Sequence, residues 1–304
     1  MNIEVAPAYR EELIAAGLLI PLGSDGLYAR SGVFEAILEA IDALAVRMGA
    51  DHGAEVLRLP PGMSRGAFEA TGYMRSFPQL AGTVHCFCGD EQAHRELIRT
   101  LDCHGDWTEG QAASDIVLTP AACYPVYPIV ARRGPLPADG HAVDVMSYCF
   151  RHEPSRDPAR MQMFRMHEFV CMGSAAQAQA FRATWVARGQ EMAEALRLPY
   201  RIEVANDPFF GRAGRLLATS QVEQALKLEL LIPVTSGAAP TACMSFNYHQ
   251  DKFGETWGLR CADGSVAHTA CVGFGLERLT LALLRHHGFQ PAHWPDCVRA
   301  MLRI

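Results

Sequence analysis

Apolar residues recur with helical spacing in four segments of the chain. Across residues 31–49 they follow the i, i+3, i+4, i+7 pattern of an amphipathic helix, and Ser31 stands where its N-cap is expected. The same spacing predicts three further helices, over about residues 91–101, about residues 174–196, and from Leu276 to just before Gly288. These four segments leave most of the chain to be explained by another pattern.

Short runs rich in β-branched and aromatic residues lie between these helices. They are AEVLRL, GTVHCFC, DIVLT, DVMSYCFR, FRMHEFVCM, YRIEVA, LKLELLIPV, ACMSFNY, WGLRC and AHTACVGFG. Many are separated by polar or Gly/Pro turns instead of helices, which favours antiparallel pairing over a doubly wound parallel sheet. With no fixed-period repeat in the sequence, the pattern predicts an α+β fold, a mainly antiparallel β-sheet with helices packed on one face.

Composition narrows the class of protein. The 304 residues are 49% hydrophobic and 20% charged, which excludes a disordered chain and a disulfide-stapled mini-protein. The net charge, 27 − 33 = −6, makes nucleic acid an unfavoured partner. No signal-peptide pattern and no run near the ~18 apolar residues of a membrane span occur, so we expect a soluble, cytoplasmic protein. Ten irregularly spaced Cys favour free thiols, with a metal site as a further option.

The stretch YCFRHEPSRDPARMQMFRMHEFVCMG, residues 148–173, carries the densest candidate chemistry. Two strand-like runs flank a polar loop, as in a hairpin, and alternation puts Arg151 and Glu153 on one face. The two side chains either pair with each other, or Arg151 binds a phosphate while Glu153 accepts from an exocyclic amine. On the return strand Arg165 and Phe169 share a face, offering a further cation and an aromatic plane for a base.

A second segment, ACVGFGLERLTLALL, places Gly273 and Gly275 at a strand-to-helix junction. Glycines there let the backbone approach a neighbour closely. Arg278 falls in the first helical turn, where a cation is unfavourably placed for the helix dipole, and this indicates an anion or a ring beside it.

Taken together, F-R-x-E, a variable loop, R-x-x-x-F and a distal G-x-G-x-x-R resemble motifs 2 and 3 of the class II aminoacyl-tRNA synthetases. AEVLRLPPGM resembles motif 1, the dimer-forming element. The resemblance is closest to seryl-tRNA synthetases, through FEATGYMRSFP, LTPAACYPVYP, LRLPYRIEVANDPFFG and LKLELLIP. It begins near Ser31, which divides the chain into an amino-terminal extension, 1–30, and a class II catalytic domain, 31–304.

Seryl-tRNA synthetases carry a long coiled-coil arm for tRNA, but residues 1–30 have no sustained heptad pattern. Without an arm, the chain resembles the bacterial amino acid:[carrier protein] ligases, truncated relatives of these synthetases. The resemblance implies a homodimer that activates a small amino acid with ATP as an aminoacyl-adenylate and loads it on the phosphopantetheine thiol of a carrier protein. Glycine or alanine is the expected substrate, serine remains an option, and neither tRNA nor a membrane is an expected partner.

Two other functions stay open. A tRNA-directed seryl-type synthetase needs a basic docking surface or a partner subunit, which the net charge of −6 disfavours. A non-catalytic paralogue acting as a binding module is expected to have lost one of the ATP-binding side chains. Arg151, Glu153, Arg165 and Arg278 are all present, which favours an enzyme.

The resemblance also implies a zinc ion held by Cys123, Glu168 and Cys271. Single ligands from separate strands leave no spacing signature, so the residues alone do not identify this set. Three protein ligands leave one tetrahedral position open, which suits a substrate amino group. Strict alternation puts Glu168 and Phe169 on opposite faces, so a bulge or strand twist is expected to bring both to one pocket.

Two alternatives to that zinc site follow from the residues themselves. In the first alternative, Cys123 and Cys271 bind no metal and are simply buried apolar side chains, as most free cysteines are. A closed structural zinc site is the other alternative, formed by His85, Cys86, Cys88, Cys103 and His104. It is weaker, because Cys86 and Cys88 alternate along one strand face and Cys103 follows a helix without a second paired knuckle.

For the nucleotide, the resemblance implies that Arg151 neutralises charge on the α-phosphate of ATP, with Arg165 as a further cation. Glu153, Phe169 and Arg278 are expected to hold the adenine and the triphosphate. Arg160 and Met161 lie near the expected adenine, although a solvated loop arginine is an equal alternative for Arg160.

The remaining assignments concern Mg²⁺ and the amino acid. The contacts to ATP and its Mg²⁺ are expected from Ala242, Cys243, Met244 and Ser245. Thr241 stands roughly where the seryl pattern has a magnesium-binding Glu. Lys227 shares a strand face with Glu229, and it is expected either to hold the substrate carboxylate or to take an edge or paired-charge role. Glu168 is expected to contact the substrate as well as the metal.

Overall fold

The computed structural model describes residues 5–304, and it describes side-chain surroundings from residue 8 onward except at residues 212–214 and 217. Its helices are α1 (Val5–Ala15), α2 (Gly32–Met48), α3 (Arg65–Ala70), α4 (Tyr73–Ser76), α5 (Glu91–Asp102), α6 (Val126–Ala131), α7 (Ala175–Ala195), α8 (Gly211–Glu223), α9 (Lys252–Trp257), α10 (Leu276–His287) and α11 (Asp296–Leu302). The four helices predicted from apolar spacing are confirmed, as α2, α5, α7 and α10.

Nine of the ten strand-like runs contain strands. The strands are β1 (Leu19–Pro21), β2 (Tyr28–Arg30), β3 (Glu55–Arg58), β4 (Gly62–Ser64), β5 (Thr83–Phe87), β6 (Gln111–Leu118), β7 (His141–Phe150), β8 (Met163–Gly173), β9 (Arg201–Val204), β10 (Lys227–Ile232), β11 (Thr241–Gln250) and β12 (His268–Gly275). The tenth run, WGLRC, is not a strand: Trp257 ends α9, and Arg260 makes only an isolated bridge with Val266.

The central sheet has seven strands in the order β3-β7-β8-β12-β11-β10-β9. Only the β3–β7 pair at one edge is parallel, and every other neighbouring pair is antiparallel. Two small antiparallel sheets, β1–β2 and β4–β6–β5, stand beside it. The predicted α+β class with a mainly antiparallel sheet is confirmed.

The long helices α2, α7 and α10 lie on one side of this sheet because each buries an apolar side there, and side-chain caps define where α2 and α7 begin. Ser31 Oγ accepts a hydrogen bond from the Phe34 backbone N–H at 3.2 Å, which caps α2. Ser174 and Gln177 form a reciprocal capping box at the start of α7. Along α7, Gly189 lets the helix approach the sheet, since a Cβ there would lie 2.6 Å from the Phe246 ring.

The opposite face is covered only in part. Helices α6 and α9 pack with the β7–β8 end of the sheet around buried residues such as Val143, Val170 and Phe253. Over β10, β11 and β12 the same face presents polar side chains, among them Lys227, Ser245 and Asn247. The expectation of helices on one face only is therefore corrected, and the uncovered part of the second face forms a cleft.

The amino-terminal segment shares the core of the rest of the chain. Tyr9 Oη donates to the Leu281 carbonyl at 2.7 Å, and Leu13, Leu18 and Leu19 are buried in the cluster that also holds α2 and α10. The predicted division at residue 30 therefore does not coincide with a separate hydrophobic core. None of the helices in the described part of the chain combines the length and apolar character needed to cross a bilayer.

Candidate functional site

The cleft on the uncovered face has an empty volume of about 740 Å³. Its floor is formed by β8, β10, β11 and β12, and one wall is the loop that joins β7 to β8. Of the predicted site residues, nine line it: Arg151, Glu153, Met161, Lys227, Ala242, Cys243, Met244, Ser245 and Arg278. Segments separated by more than a hundred residues thus meet in one place.

Arg151 and Glu153 leave β7 at the mouth of the loop and both face the cleft. The Arg151 backbone N–H donates to the Gln162 carbonyl at 3.0 Å, which closes the loop. Its side chain donates from Nε to the Pro120 carbonyl at 3.2 Å and stacks over the Phe164 ring at 5.5 Å. Glu153 lies 3.6 Å from Arg160, so in this structure it pairs across the loop and not with Arg151.

Arg278 joins two walls of the cleft. Its Nε donates to the Ala159 carbonyl and its Nη1 to the Ala242 carbonyl, both at 2.9 Å. Arg278 also packs close to the backbone of Gly275, where a Cβ would lie 3.4 Å from Arg278 Cδ, an ordinary van der Waals contact. The guanidinium expected to face an anion or a ring therefore stands at the cleft with its orientation fixed by two backbone acceptors.

Phe169 lies on the other face of the sheet, so the prediction that it offers its ring to a base is corrected. It is buried between Trp185 and His167, with ring centroids 4.6 and 5.0 Å away. The pairing of β8 with both neighbours continues without a register shift, and no bulge brings Phe169 to the face of Glu168. The aromatic ring on the cleft side of β8 is Phe164, four residues before Glu168.

Arg165 shares the face of Phe169, as predicted, and for the same reason points away from the cleft. Its guanidinium contacts Glu35 at 2.6 Å and Glu277 at 3.5 Å, and its backbone N–H donates to Glu277. Arg30 contacts the same buried Glu277 at 2.7 Å. Arg165 therefore joins α2, β8 and α10, and its predicted role as a nucleotide-binding cation is corrected.

Arg160 and Met161 separate in the structure. Met161 is buried and lines the cleft. The Arg160 side chain is 54% exposed and pairs with Glu153 and Asp157. That position matches the alternative of a solvated loop arginine, while its nucleotide-binding role stays a prediction.

Lys227 reaches the cleft from β10, but it is already paired. Its Nζ lies 2.5 Å from Asp207 and 3.0 Å from Glu229. Gln221 of α8 holds Asp207 from both sides, accepting from the Asp207 backbone N–H at 2.7 Å and donating to its carboxylate at 2.9 Å. Although burial opposes the charge, the two carboxylates raise the pKa of Lys227. Asp207 and Gln221 were not identified from the sequence.

Cys123, Glu168 and Cys271 come together although they lie in a turn, in β8 and in β12. Their ligand atoms all lie within 4.8 Å of one another, and all three residues are buried. Glu168 Oε1 accepts from the Cys123 backbone N–H at 3.0 Å, which fixes the carboxylate. Two thiols and one carboxylate are ligand types that Zn²⁺ prefers. Among the described residues this is the only such cluster, so the rival site at residues 85–104 does not form.

The electrostatics of this cluster favour a bound cation. Burial raises the pKa of Glu168, and a hydrogen bond with Cys271 together with burial raises that of Cys123. The Cys123 hydrogen bond lowers the pKa of Cys271, but burial and Glu168 outweigh it, and the pKa is raised. Three buried acids thus hold their protons unless a positive charge stabilises the anions. The donor set therefore fits a divalent metal.

The cluster lies behind the cleft, and it is connected to the cleft through Ser245, Asn247 and Gly273. Asn247 Nδ2 lies 3.4 Å from both Ser245 Oγ in the cleft and Cys271 Sγ in the cluster. A Cβ on Gly273 would lie 3.2 Å from Ser245 Oγ and 3.7 Å from Glu168 Cγ. The absence of a side chain at Gly273 therefore keeps open the space between the cleft and the carboxylate.

The candidate ligands for Mg²⁺ are the carboxylates that line the cleft. Thr241 at the start of β11 offers no carboxylate. The carboxylates that line the cleft are Glu153, Glu229 and Glu277. All three are paired with cations: Glu277 is buried between Arg30 and Arg165, Glu229 contacts Lys227, and Glu153 contacts Arg160.

The chain was compared with known proteins and with solved structures. No protein-family profile matches the chain. It is 49% identical over 298 residues to amino acid–[acyl-carrier-protein] ligase 2 of Bradyrhizobium diazoefficiens, across 98% of this chain and 89% of that protein. It is 47% identical over 306 residues to ligase 1 of the same organism, across 99% of this chain and 93% of that protein.

Among solved structures, M. kandleri SerRS in complex with A. aeolicus tRNASec superposes with a TM-score of 0.82 at 22% identity. The match covers 97% of this chain and 60% of that one. It confirms the class II aminoacyl-tRNA synthetase fold expected from the three motifs. Because the identity to the two ligases extends over nearly the whole chain, this protein belongs to the amino acid–[acyl-carrier-protein] ligase family.

Proposed function

We propose that the protein activates a small amino acid with ATP and transfers the aminoacyl group to the phosphopantetheine thiol of a carrier protein. The observation that carries the proposal is the 49% identity, over 98% of the chain, to a protein named as an amino acid–[acyl-carrier-protein] ligase. The cleft supports it, because Arg151 and Arg278 supply two fixed cations beside a buried Cys/Glu/Cys cluster.

In the first step a carboxylate oxygen of the amino acid attacks the α-phosphorus of ATP, the bond to the bridging oxygen breaks, and pyrophosphate leaves. Arg151 is placed to neutralise charge building on the α-phosphate, with its guanidinium held by Pro120 and Phe164. Arg278 is held by two carbonyls and is placed for the nucleotide. For this reaction the protein has to position the two substrates and stabilise the developing charge, and it needs no nucleophilic side chain.

Cys123, Glu168 and Cys271 would hold Zn²⁺, which when bound supplies an open position for the amino group. Binding of the amino group to Zn²⁺ does not discriminate between amino acids of different side-chain size. The size of the substrate side chain would therefore be selected by the residues that surround the metal cluster. Even a Cβ on Gly273 would lie 3.2 Å from Ser245 Oγ and 3.7 Å from Glu168 Cγ, and this close packing beside the carboxylate supports a small substrate, with glycine or alanine expected. Lys227 carries a positive charge at the cleft and would attract the substrate carboxylate, although Asp207 and Glu229 already pair with it.

The nucleotide base would pack on Phe164, the ring exposed to the cleft beneath Arg151, while Glu153 would accept from its exocyclic amine. Mg²⁺ would enter with the phosphates, since it is commonly bound by one or two carboxylates together with substrate oxygens. With Glu153 assigned to the base, Glu229 is the cleft carboxylate left for it, and it would exchange its contact with Lys227 for the metal. In the second step the carrier thiolate attacks the acyl carbon, a thioester forms, and AMP leaves.

A homodimer is supported by the outer edge of the sheet. Strand β3, in the motif 1 segment, pairs on one side only, with β7, and its Val56 side chain is 60% exposed. The unpaired edge of a strand presents backbone N–H and C=O groups that can pair with another chain. We propose that a second copy covers it, and that the enzyme works in the cytoplasm.

The test is ATP–pyrophosphate exchange with each of the twenty amino acids, with and without a zinc chelator, followed by transfer of labelled amino acid to candidate acceptors. We expect exchange with glycine or alanine that is lost on chelation, and label on a phosphopantetheinylated carrier protein but not on its apo form. Label on tRNA would instead favour the seryl-type activity. Folded, zinc-loaded protein that exchanges with none of the amino acids would contradict the enzyme and leave the binding-module alternative.

A further inference from the structure

The proposed metal cluster has an excess of negative charge that its three ligands cannot balance. Two thiolates and a carboxylate around a divalent cation leave one net negative charge, and all three residues are buried. A buried charge requires hydrogen-bond donors directed at it. The Cys123 backbone N–H donates to Glu168, but this leaves the two sulfurs without a backbone donor among the described contacts.

Two side chains outside the ligand set stand beside those sulfurs. Asn247 lies directly opposite Cys271 in the antiparallel pairing of β11 with β12, and its Nδ2 is 3.4 Å from Cys271 Sγ. Tyr127 follows Cys123 by four residues, in the first turn of α6, and it belongs to the same buried cluster as Cys123 and Cys271. Asn247 therefore contacts the Cys271 sulfur directly, and Tyr127 brings a hydroxyl into the buried cluster that holds Cys123.

The Tyr127 hydroxyl is the more telling of the two. The side chain is fully buried, and its oxygen has no hydrogen-bond partner of normal geometry among the described residues. Its ring is fixed by stacking on Phe253, with centroids 4.2 Å apart and planes 13° from parallel. A rigid, buried hydroxyl without a partner is costly, unless an acceptor such as a thiolate forms beside it.

We propose that Tyr127 and Asn247 are positioning residues of the metal site, each donating a hydrogen bond to one sulfur, Tyr127 to Cys123 and Asn247 to Cys271. The inference rests on the metal set of the proposed function, and it adds residues that hold no metal themselves. Donors of this kind orient the ligands and offset their charge, and their loss commonly weakens metal binding by about 10–100-fold.

His249 is a further polar side chain beside the Cys271 sulfur. Its Nε2 lies 3.7 Å from Cys271 Sγ, and its Nδ1 lies 3.0 Å from Thr269 Oγ1. Whether the ring donates to the sulfur depends on which nitrogen carries the proton. Tyr127 and Asn247 have no such ambiguity, because a hydroxyl and an amide NH₂ both carry donors.

The experiment measures Zn²⁺ binding to the whole protein by competition with a chromophoric chelator, using Tyr127→Phe and Asn247→Leu. Tyr248→Phe is the matched control. It also removes a tyrosine hydroxyl, but the Tyr248 hydroxyl lies in β11 and contacts His268, not the proposed metal cluster. We expect each test variant to bind Zn²⁺ about 10-fold or more weakly, and Tyr248→Phe to bind as the parent does.

A second readout separates positioning from general destabilisation. In Co²⁺-loaded protein, loss of a donor leaves more electron density on sulfur, so the sulfur-to-cobalt charge-transfer band of Tyr127→Phe should move to lower energy. Equal dissociation constants and equal bands for Tyr127→Phe, Asn247→Leu and the control would overturn the inference. A parent protein that binds no zinc while folded would overturn the metal set itself, a different result. If Asn247→Leu fails to fold, Tyr127→Phe decides alone.

Discussion

Glu168 and Phe169 are consecutive in β8, yet they serve opposite faces of the central sheet. Glu168 contacts Cys123 in the candidate metal cluster, and Phe169 stacks on Trp185 under the long helices. The packing there is tight, because a Cβ on Gly49 would lie 2.5 Å from the Phe169 ring. The ring that a nucleotide can reach is Phe164, on the face of Glu168.

This arrangement predicts opposite effects for two phenylalanine substitutions. Phe164→Ala should raise the KM for ATP in pyrophosphate exchange, because a cleft-lining ring is lost, and it should cost less stability than Phe169→Ala because the Phe164 ring is only half-buried. Phe169→Ala should lower the free energy of unfolding by about 3–5 kcal/mol, the usual cost of emptying a buried phenylalanine site. Urea denaturation and exchange kinetics on both variants test this. A normal KM in Phe164→Ala would remove that ring from nucleotide binding.

The sequence predicts those features of the fold that depend on local signals. Ser31 and Ser174 cap their helices through neighbours three residues away, so both caps are visible in the printed chain. The antiparallel sheet follows from short runs separated by turns. The site residues depend on longer-range information: Cys123 and Cys271 are identified by resemblance, since no spacing links two single ligands on distant elements.

The wrong predictions for Phe169 and Arg165 share one physical cause. Alternation already put Glu168 and Phe169 on opposite faces, and the assumed bulge does not exist. Counting back in twos from Glu168 leads to Phe164 and keeps the strand regular.

Asp207 and Gln221 could not be identified from the sequence, because the contacts that link them to Lys227 join a loop, a helix and a strand that approach one another only in the folded chain.

Substitutions at Arg151 and Arg165 should affect different quantities, amino-acid activation in the first case and stability in the second. Arg151→Ala should abolish amino-acid activation while fold and zinc content remain, since its contacts are to the cleft wall. Arg165→Ala should cost about 1–3 kcal/mol of stability, because it leaves buried Glu277 with fewer partners. Its exchange activity per folded molecule should remain. Circular dichroism, metal analysis and exchange assays measure the three quantities, and retained adenylation in Arg151→Ala would exclude that residue from the mechanism.

Gly273→Ala should narrow the passage between the cleft and the metal cluster. The added Cβ would stand 3.2 Å from Ser245 Oγ and 3.7 Å from Glu168 Cγ, so the KM for the amino acid should rise more than the KM for ATP, which Ser245 is also expected to contact. Gly237→Ala is the control, since a Cβ there meets nothing within 4 Å. Unchanged amino-acid kinetics in Gly273→Ala would show that the substrate takes another path.

Cys271→Ser should lose zinc and adenylation together. A hydroxyl is a poor replacement for a thiolate ligand, and the open coordination position for the amine disappears with the metal. Cys297→Ser is the matched control, because that cysteine is exposed on α11, outside the cluster. Metal content by plasma emission and exchange activity are measured on the same samples. Full activity in a metal-free Cys271→Ser enzyme would refute the zinc assignment.

Asp207→Asn tests the pairing that holds Lys227. Burial alone would raise the pKa of Asp207, but Lys227 and Gln221 lower it below its ordinary value. A carboxyl with a lowered pKa contributes stability above its unfolded pKa of about 4, and that contribution is lost as pH falls through the folded value. Stability of the parent should therefore decline more steeply than that of Asp207→Asn as the pH falls below about 4. Parallel slopes in urea denaturation across this range would show that the pair contributes no pH-dependent stability.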